Sequence, residues 1–284
     1  MIDSFPFEGF DIPVDLAILT GGGADTWDGI SAAHLAAYAR YCPLRAGHDV
    51  LEVGCGVGRD AIPLTRVLGD TGSYVGVDVS GPSIAWCQEH ITVRHPNFGF
   101  AHLDIRSEFY NPHGSLAGHE IALPVATSSV DRIILQSVFT HMFEPDITHF
   151  LREFRRVLRR DGRVFASFFV LGEGSMRLAT ATPDVLKFAH VRGHGDGCRV
   201  NDLGYPEAAV GYTPEALARM VRRGGFAFGQ PVHLGSWCGR TGVEDGQDIV
   251  VLKPAGLIPS LRRRSAARAR ATAAGTEAGR STSG

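Results

Sequence analysis

The run DVLEVGCGVGRD, residues 49–60, constrains the fold more than any other part of the chain. A short apolar run leads straight into glycines at 54, 56 and 58, and RDAIPLTRVLGD then follows a helical period, with Gly69 placed to stop it. Strand, glycine turn and helix in immediate succession form the opening unit of a largely parallel α/β sheet with helices on both faces. The alternation continues. GSYVGVDV reads as a second strand, and PSIAWCQEHI as a second helix with Pro82 in its first turn. NFGFAHLD and VDRIILQSVF supply a third and a fourth strand. In DITHFLREFRRVLRR, Ile147, Phe150, Leu151, Phe154, Val157 and Leu158 fall on one helical stripe and the arginines on the other. Asp161 and Gly162 are expected to turn the chain into the strand RVFASFFVL.

The flanks are less regular. Residues 172–211 are rich in glycine and histidine with weak periodicity, which predicts a lid or binding insertion. TPEALARMVRRGGF is a helix with Thr213 as N-cap, Pro214 at its first position, and Gly224 and Gly225 at its end. AFGQPVHLGSW and QDIVVLKP read as the last two strands. Residues 1–48 hold one amphipathic helix near ISAAHLAAYARY and are expected to form a cap on the domain at 49–255.

Composition narrows the function. The tail from Leu261 carries six arginines against one glutamate, and removing that +5 from the overall −2 leaves the body at −7. An acidic body is a poor surface for nucleic acid, where phosphate neutralisation dominates binding. The tail, 256–284, has the composition of a disordered basic end. No apolar run approaches the roughly 20 residues that span a bilayer, and MIDSFPFEGFDIP lacks the form of a secretory signal, so the expected setting is the cytoplasm without membrane partners. Five scattered cysteines without a C-x-x-C are expected to be reduced thiols.

The ligand of the glycine loop follows from charge. G-x-G-x-G is one residue short of the dinucleotide fingerprint and lacks the Gly-Lys-Ser/Thr of a phosphate loop. Glu52, on the entering strand, repels phosphate and suits an ammonium group. S-adenosylmethionine (SAM) offers an amino group, a sulfonium and no phosphate. Asp78, at the end of GVDVS and followed by Val79, can accept both hydroxyls of a ribose. Asp104 in HLDI can accept from an adenine amine, with Ile105 packed on the ring.

These residues resemble the class I SAM-dependent methyltransferases. VLEVGCGVGRD, GVDVSGPSI, LDI, LPVATSSVDRIILQSVFTHM and REFRRVLRRDGRVF stand in that family's order and spacing, although Arg160 and Asp161 replace the usual Pro and first Gly of one turn. The resemblance implies a seven-stranded sheet in the order 3-2-1-4-5-7-6 with strand 7 antiparallel. It also implies SAM as cofactor, with Glu52 on the methionine amino group and Gly54, Cys55 and Gly56 lining the cofactor. Asp78 would hold the ribose, Asp104 and Ile105 the adenine, Gln136 would face the methionine portion, and Val79 is a further cofactor-binding residue.

The same resemblance implies that the acceptor would face the segment after strand 4, here LQSVFTHMFEPD. It lacks the Asn/Asp-Pro-Pro-aromatic motif of amino-methyltransferases acting on nucleobases or glutamine, so a small molecule methylated at a hydroxyl is expected, with His141 as candidate general base. Trp27, Trp237 and Phe143 are either acceptor wall or ordinary core. His190, His194, Asp196 and Asp202 match no ligand spacing, and no metal is assigned. The alternative is a protein of the same fold that retains SAM for a rearrangement or cyclisation, or only binds it. A nicotinamide-dependent dehydrogenase is disfavoured by loop spacing and Glu52. Oligomeric state is open.

Overall fold

The computed structural model describes residues 3–192 and 197–256. The chain opens with a hairpin of β1 (Ser4–Phe7) and β2 (Phe10–Pro13), then α1 (Val14–Leu19) and α2 (Trp27–Tyr41). The alternating body comprises β3 (Asp49–Val53), α3 (Ala61–Leu68), β4 (Ser73–Asp78), α4 (Gly81–Cys87), β5 (Phe98–His102), β6 (Val130–Leu135), α5 (Glu144–Val157) and β7 (Leu158–Phe168). Next come α6 (Glu173–Ala181), β8 (His190–Val191), β9 (Cys198–Val200) and β10 (Val210–Tyr212). The elements α7 (Pro214–Arg223), β11 (Phe226–Phe228) and β12 (Asp248–Pro254) close the chain's described structure, and all belong to one compact unit ending at Pro254.

The main sheet has the order β5-β4-β3-β6-β7-β12-β11, parallel except for β12, which runs antiparallel to both neighbours. Counted along the main sheet alone this is 3-2-1-4-5-7-6, as the motif order implies. Side chains alternate between two cores. Leu51, Ile133 and Leu135 pack with Phe150, Phe154, Leu217 and Met220 of α5 and α7. Val50, Tyr74, Ile134 and Phe165 face the other way, onto Trp27, Tyr38, Ile62 and Ile84. Both faces are covered, which is why these strands read as near-continuous apolar runs. Neighbouring β3 and β6 share register and direction, so their carboxyl ends open at the same edge, where the loops that form the site leave the sheet.

Four expectations change. The N-terminal segment holds a hairpin and two helices rather than one helix: Glu8 and Gly9 take φ of 48° and 83°, the two positive values a tight hairpin turn needs. Asp161 and Gly162 do not form a turn. β7 begins at Leu158, directly after α5, and the surplus residues are absorbed as a bulge, with Val130 opposite Leu158 and Arg132 opposite Arg163. The described residues of 172–211 are more ordered than their composition suggests, with α6 and a small antiparallel sheet β10-β9-β8. The sixth strand is only Phe226–Phe228, and the chain from 229 to 247 is mostly loop. Of the basic tail at 256–284, everything from 257 on lies outside the described residues.

Candidate active site

The glycine loop leaves β3 under tight packing. Gly54 and Cys55 donate backbone N–H to Val77 O at 2.8 and 3.2 Å, and Gly56 donates to Asp78 Oδ2 at 2.8 Å. Gly54 has φ of 79°, and a Cβ there would lie 2.4 Å from Val138 Cγ2; one at Gly56, φ 52°, would lie 2.4 Å from Thr20. These two glycines are therefore demanded by the protein's own packing before any ligand is considered. Thr20, in turn, accepts from Val57 N at 3.0 Å, so the N-terminal segment holds the loop from outside.

Behind the loop lies a carboxylate pair. Glu52 is 5% exposed and accepts from the Tyr74 hydroxyl. Burial, reinforced by the nearby Asp60 charge, pushes the Glu52 carboxyl well above its ordinary range. Asp60 meets the opposite fate. Burial works to raise it too, but the charge and hydrogen bond of His34 outweigh that, and its pKa lies below the usual value. His34 Nδ1 stands 2.8 Å from Asp60 Oδ2, and the Tyr38 hydroxyl donates to the same oxygen at 2.6 Å. Asp78, at the end of β4, accepts from Gly56 N with one oxygen and Ser80 N at 2.7 Å with the other; burial raises its carboxyl while these bonds oppose the rise.

The loop, both carboxylates and the end of β6 line one cavity of about 710 Å³. Of the expected residues, Glu52, Gly54, Cys55, Gly56, Asp78, Val79, Ile105, Gln136 and His141 all stand in its wall. Asp104 does not. It is exposed, and its carboxylate accepts from Ser115 Oγ, from Ser115 N at 3.4 Å and from Asn111 Nδ2 at 3.3 Å. It closes its own loop outside the cavity wall, whereas the sequence placed it in that wall against an adenine. Cys55 is buried with its thiol raised well above normal by burial, a wall residue and not a thiolate.

His141 ends a short 3-10 turn, Phe139–His141, after β6. Its Nδ1 lies 2.8 Å from Glu207 O, and its Nε2 lies 3.4 Å from Ser137 Oγ. Burial lowers its pKa, against the smaller pull of the Glu207 carbonyl. A carbonyl only accepts, so Nδ1 carries the ring proton and Nε2 presents a lone pair. The same end of the cavity is walled by Arg106, Tyr110, Met142, Phe143 and Glu207. Trp27 and Trp237 are core: the first is fully buried, and the second packs on Phe169 and Phe188 and donates to Asp248.

Sequence reasoning missed several wall residues: Thr20 and His34 before the loop, Arg59 and Asp60 inside it, Tyr110, Glu207, and Gln247 before β12. Arg59 and Asp60 stood in the quoted motif, and His34 lies one helical turn from Tyr38, so a signal existed for those. No group of three His, Cys, Asp or Glu capable of holding a metal occurs among the described residues. His194 and Asp196 lie outside them. No described helix is long and apolar enough to cross a membrane.

Residues 50–162 match a family model described as a methyltransferase domain. The chain is 32% identical over 145 residues to an arsenite methyltransferase of Aquipseudomonas alcaligenes, covering 49% of this chain and 39% of that protein. It is 33% identical over 129 residues to a probable S-adenosylmethionine-dependent methyltransferase of Mycolicibacterium smegmatis, covering 45% of this chain and 41% of the other. The chain thus spans about two fifths of the length of these relatives. Among solved structures, the PH0226 protein of Pyrococcus horikoshii shares the fold with a TM-score of 0.55 at 16% identity, over 81% of this chain and 92% of that one. Residues 50–162 are thus similar to a methyltransferase domain, in a chain that shares the fold of that neighbour and local sequence with SAM-dependent methyltransferases, and the cofactor this similarity implies is SAM.

The residues present fit that cofactor. Glu52 is a buried carboxylate whose described hydrogen bond comes from one hydroxyl, leaving room for an ammonium. Arg59 Nε is buried beside the same cavity without a hydrogen-bond partner among the described residues, its nearest acid being Asp60 Oδ1 at 4.0 Å, and suits a ligand carboxylate.

Proposed function

We propose that the chain transfers the methyl group of SAM to a hydroxyl oxygen of a small molecule. The observation that carries this reading is His141: a half-buried imidazole whose pKa is lowered, held as the Nδ1–H tautomer by Glu207 O, with its unprotonated Nε2 toward Ser137 in the cavity that also contains Glu52 and Asp78. A hydroxyl is a weak nucleophile until its proton is taken, and a neutral imidazole can take it.

SAM supplies an electrophilic methyl on a positively charged sulfur. The chain's own groups bind and orient. Glu52 receives the amino group, Arg59 the carboxylate, and Asp78 the ribose hydroxyls. Leu103, Val79 and Ile105 form the apolar slot for the adenine, and Gln136 lies along the methionine portion. Gly54, Cys55 and Gly56 bring backbone close to it. The family match ends at residue 162, whereas Glu207 and Gln247 of the acceptor wall come from beyond it, so the acceptor is set by this chain's own insertion and last loop. The insertion at 172–211 is then the cover of the acceptor end.

The test is a panel of phenol, catechol, benzyl alcohol, aniline and thiophenol with methyl-labelled SAM. A labelled ether formed one-to-one with S-adenosylhomocysteine supports the reading. Label appearing only on nitrogen or sulfur removes the hydroxyl assignment, and SAM bound without S-adenosylhomocysteine release would point to the non-methylating alternative.

A further inference from the structure

The cavity wall at the end of β6 holds a series of hydrogen bonds whose directions are fixed one after another. Ser137 has φ of 55°, a backbone region side chains rarely adopt, and donates its N–H to Ser167 Oγ on β7 at 2.7 Å. Having accepted that bond, the Ser167 hydroxyl donates to Gln247 Oε1 at 2.6 Å. The amide is thereby oriented, and its Nε2 donates to Ser137 Oγ at 2.9 Å. Ser137 retains its own proton. Two acceptors are in range, Thr140 Oγ1 at 3.3 Å and His141 Nε2 at 3.4 Å. Because Glu207 O fixes the ring proton on Nδ1, Nε2 is a free lone pair and the better acceptor of the two.

We infer that Ser137 is the proton relay between the acceptor hydroxyl and His141, with Ser167 and Gln247 as its positioning residues; this rests on the hydroxyl reading above. Ser137 is exposed to the cavity, while Thr140 is fully buried. In the step, the acceptor oxygen forms a bond to the methyl carbon as the carbon–sulfur bond breaks, and its electron pair remains on sulfur. The acceptor proton passes to Ser137 Oγ while the Ser137 proton passes to His141 Nε2. The imidazolium, still donating from Nδ1 to Glu207 O, later loses one proton to solvent. Charge and atoms balance without another reagent. A strained non-glycine residue at the site is accounted for: the left-handed turn aims the hydroxyl at the histidine on the following turn.

Two variants separate relay from backbone shape. Ser137→Ala and Ser137→Gly both remove the hydroxyl, but glycine accepts positive φ freely. With methyl-labelled SAM and the phenol, catechol or benzyl alcohol that the full chain methylates, both variants should lower kcat about 100-fold. SAM affinity by calorimetry should stay within about twofold, and adding His141→Ala should cost little more, because the two groups act as one unit. Nitrogen-15 histidine NMR of the S-adenosylhomocysteine complex should show the proton on Nδ1, and an Nε2 signal that moves in Ser137→Gly. Wild-type turnover by Ser137→Gly, multiplying losses in the double variant, or a proton on Nε2 would each overturn the relay. If no hydroxyl is methylated at all, the hydroxyl reading falls and takes the relay with it, a result distinct from a methylating enzyme indifferent to Ser137.

Discussion

The Tyr74 hydroxyl of β4 donates to the Glu52 carboxylate on neighbouring β3, in the interior behind the glycine loop. One neutral donor only partly compensates a buried carboxylate, and burial keeps the Glu52 pKa raised. A ligand ammonium would supply what is missing.

SAM binding should therefore release a proton. Ligand binding favours the ionised form, so affinity should rise with pH across the window between the lowered bound pKa and the raised free pKa of Glu52. Calorimetry in buffers of different ionisation enthalpy measures it; heats independent of buffer throughout that window would disprove the linkage. The same shift acts oppositely on stability. A carboxyl whose folded pKa is raised destabilises the fold as pH climbs from its unfolded pKa through its folded one. Glu52→Gln should thus raise the thermal midpoint at neutral pH while weakening SAM binding at least tenfold.

Asp60 gives the reverse sign. Its folded pKa is lowered, so its contribution is present above the unfolded value and is lost as pH falls through the folded one. Tyr38→Phe removes a buried donor to this carboxylate and should cost about 1–3 kcal/mol in urea unfolding at neutral pH. A loss below a few tenths would show that Asp60 does not need the hydroxyl.

Asp78 uses both oxygens as acceptors, from Gly56 N and Ser80 N. Asp78→Asn must turn an NH2 toward one of these donors, so the loop should shift and SAM affinity should fall by about tenfold or more. Asp104→Ala is the contrasting variant. Since Asp104 braces Ser115 and Asn111 and does not line the cavity, SAM affinity should change less than about twofold while amide exchange quickens over residues 104–116. Equal affinity losses in the two variants would refute this division.

Gly54→Ala would drive a Cβ into Val138 and hold alanine at φ of 79°. Loss of about 1–3 kcal/mol is expected from strain and clash together. Val138→Ala in the same chain should restore the part due to the clash and leave the part due to φ. Additive unfolding energies would mean that the two residues do not meet.

What the sequence revealed was what periodicity and local charge encode. Buried runs such as Asp49–Val53 and Val130–Leu135 and the stripe Ile147–Val157 announce sheet and helix, and Glu52 stands out because a carboxylate next to glycines is chemically odd. Strands of two or three residues, His190–Val191, Cys198–Val200 and Val210–Tyr212, are too short to show a period, so the insertion read as loop. His34 on Asp60, and Gln247 between Ser137 and Ser167, are pairings across 26, 110 and 80 positions that no local pattern records. Asp104 shows the converse: a plausible ligand by position, drawn aside by Ser115 eleven residues away.

Residue 207 does two separable things: its backbone carbonyl accepts from His141 Nδ1, and the residue lines the cavity. Every amino acid brings the same carbonyl. If the proposed function holds, side-chain changes at this position would alter the cavity wall while leaving the carbonyl bond to His141 in place, which makes 207 the first site at which to redesign selectivity.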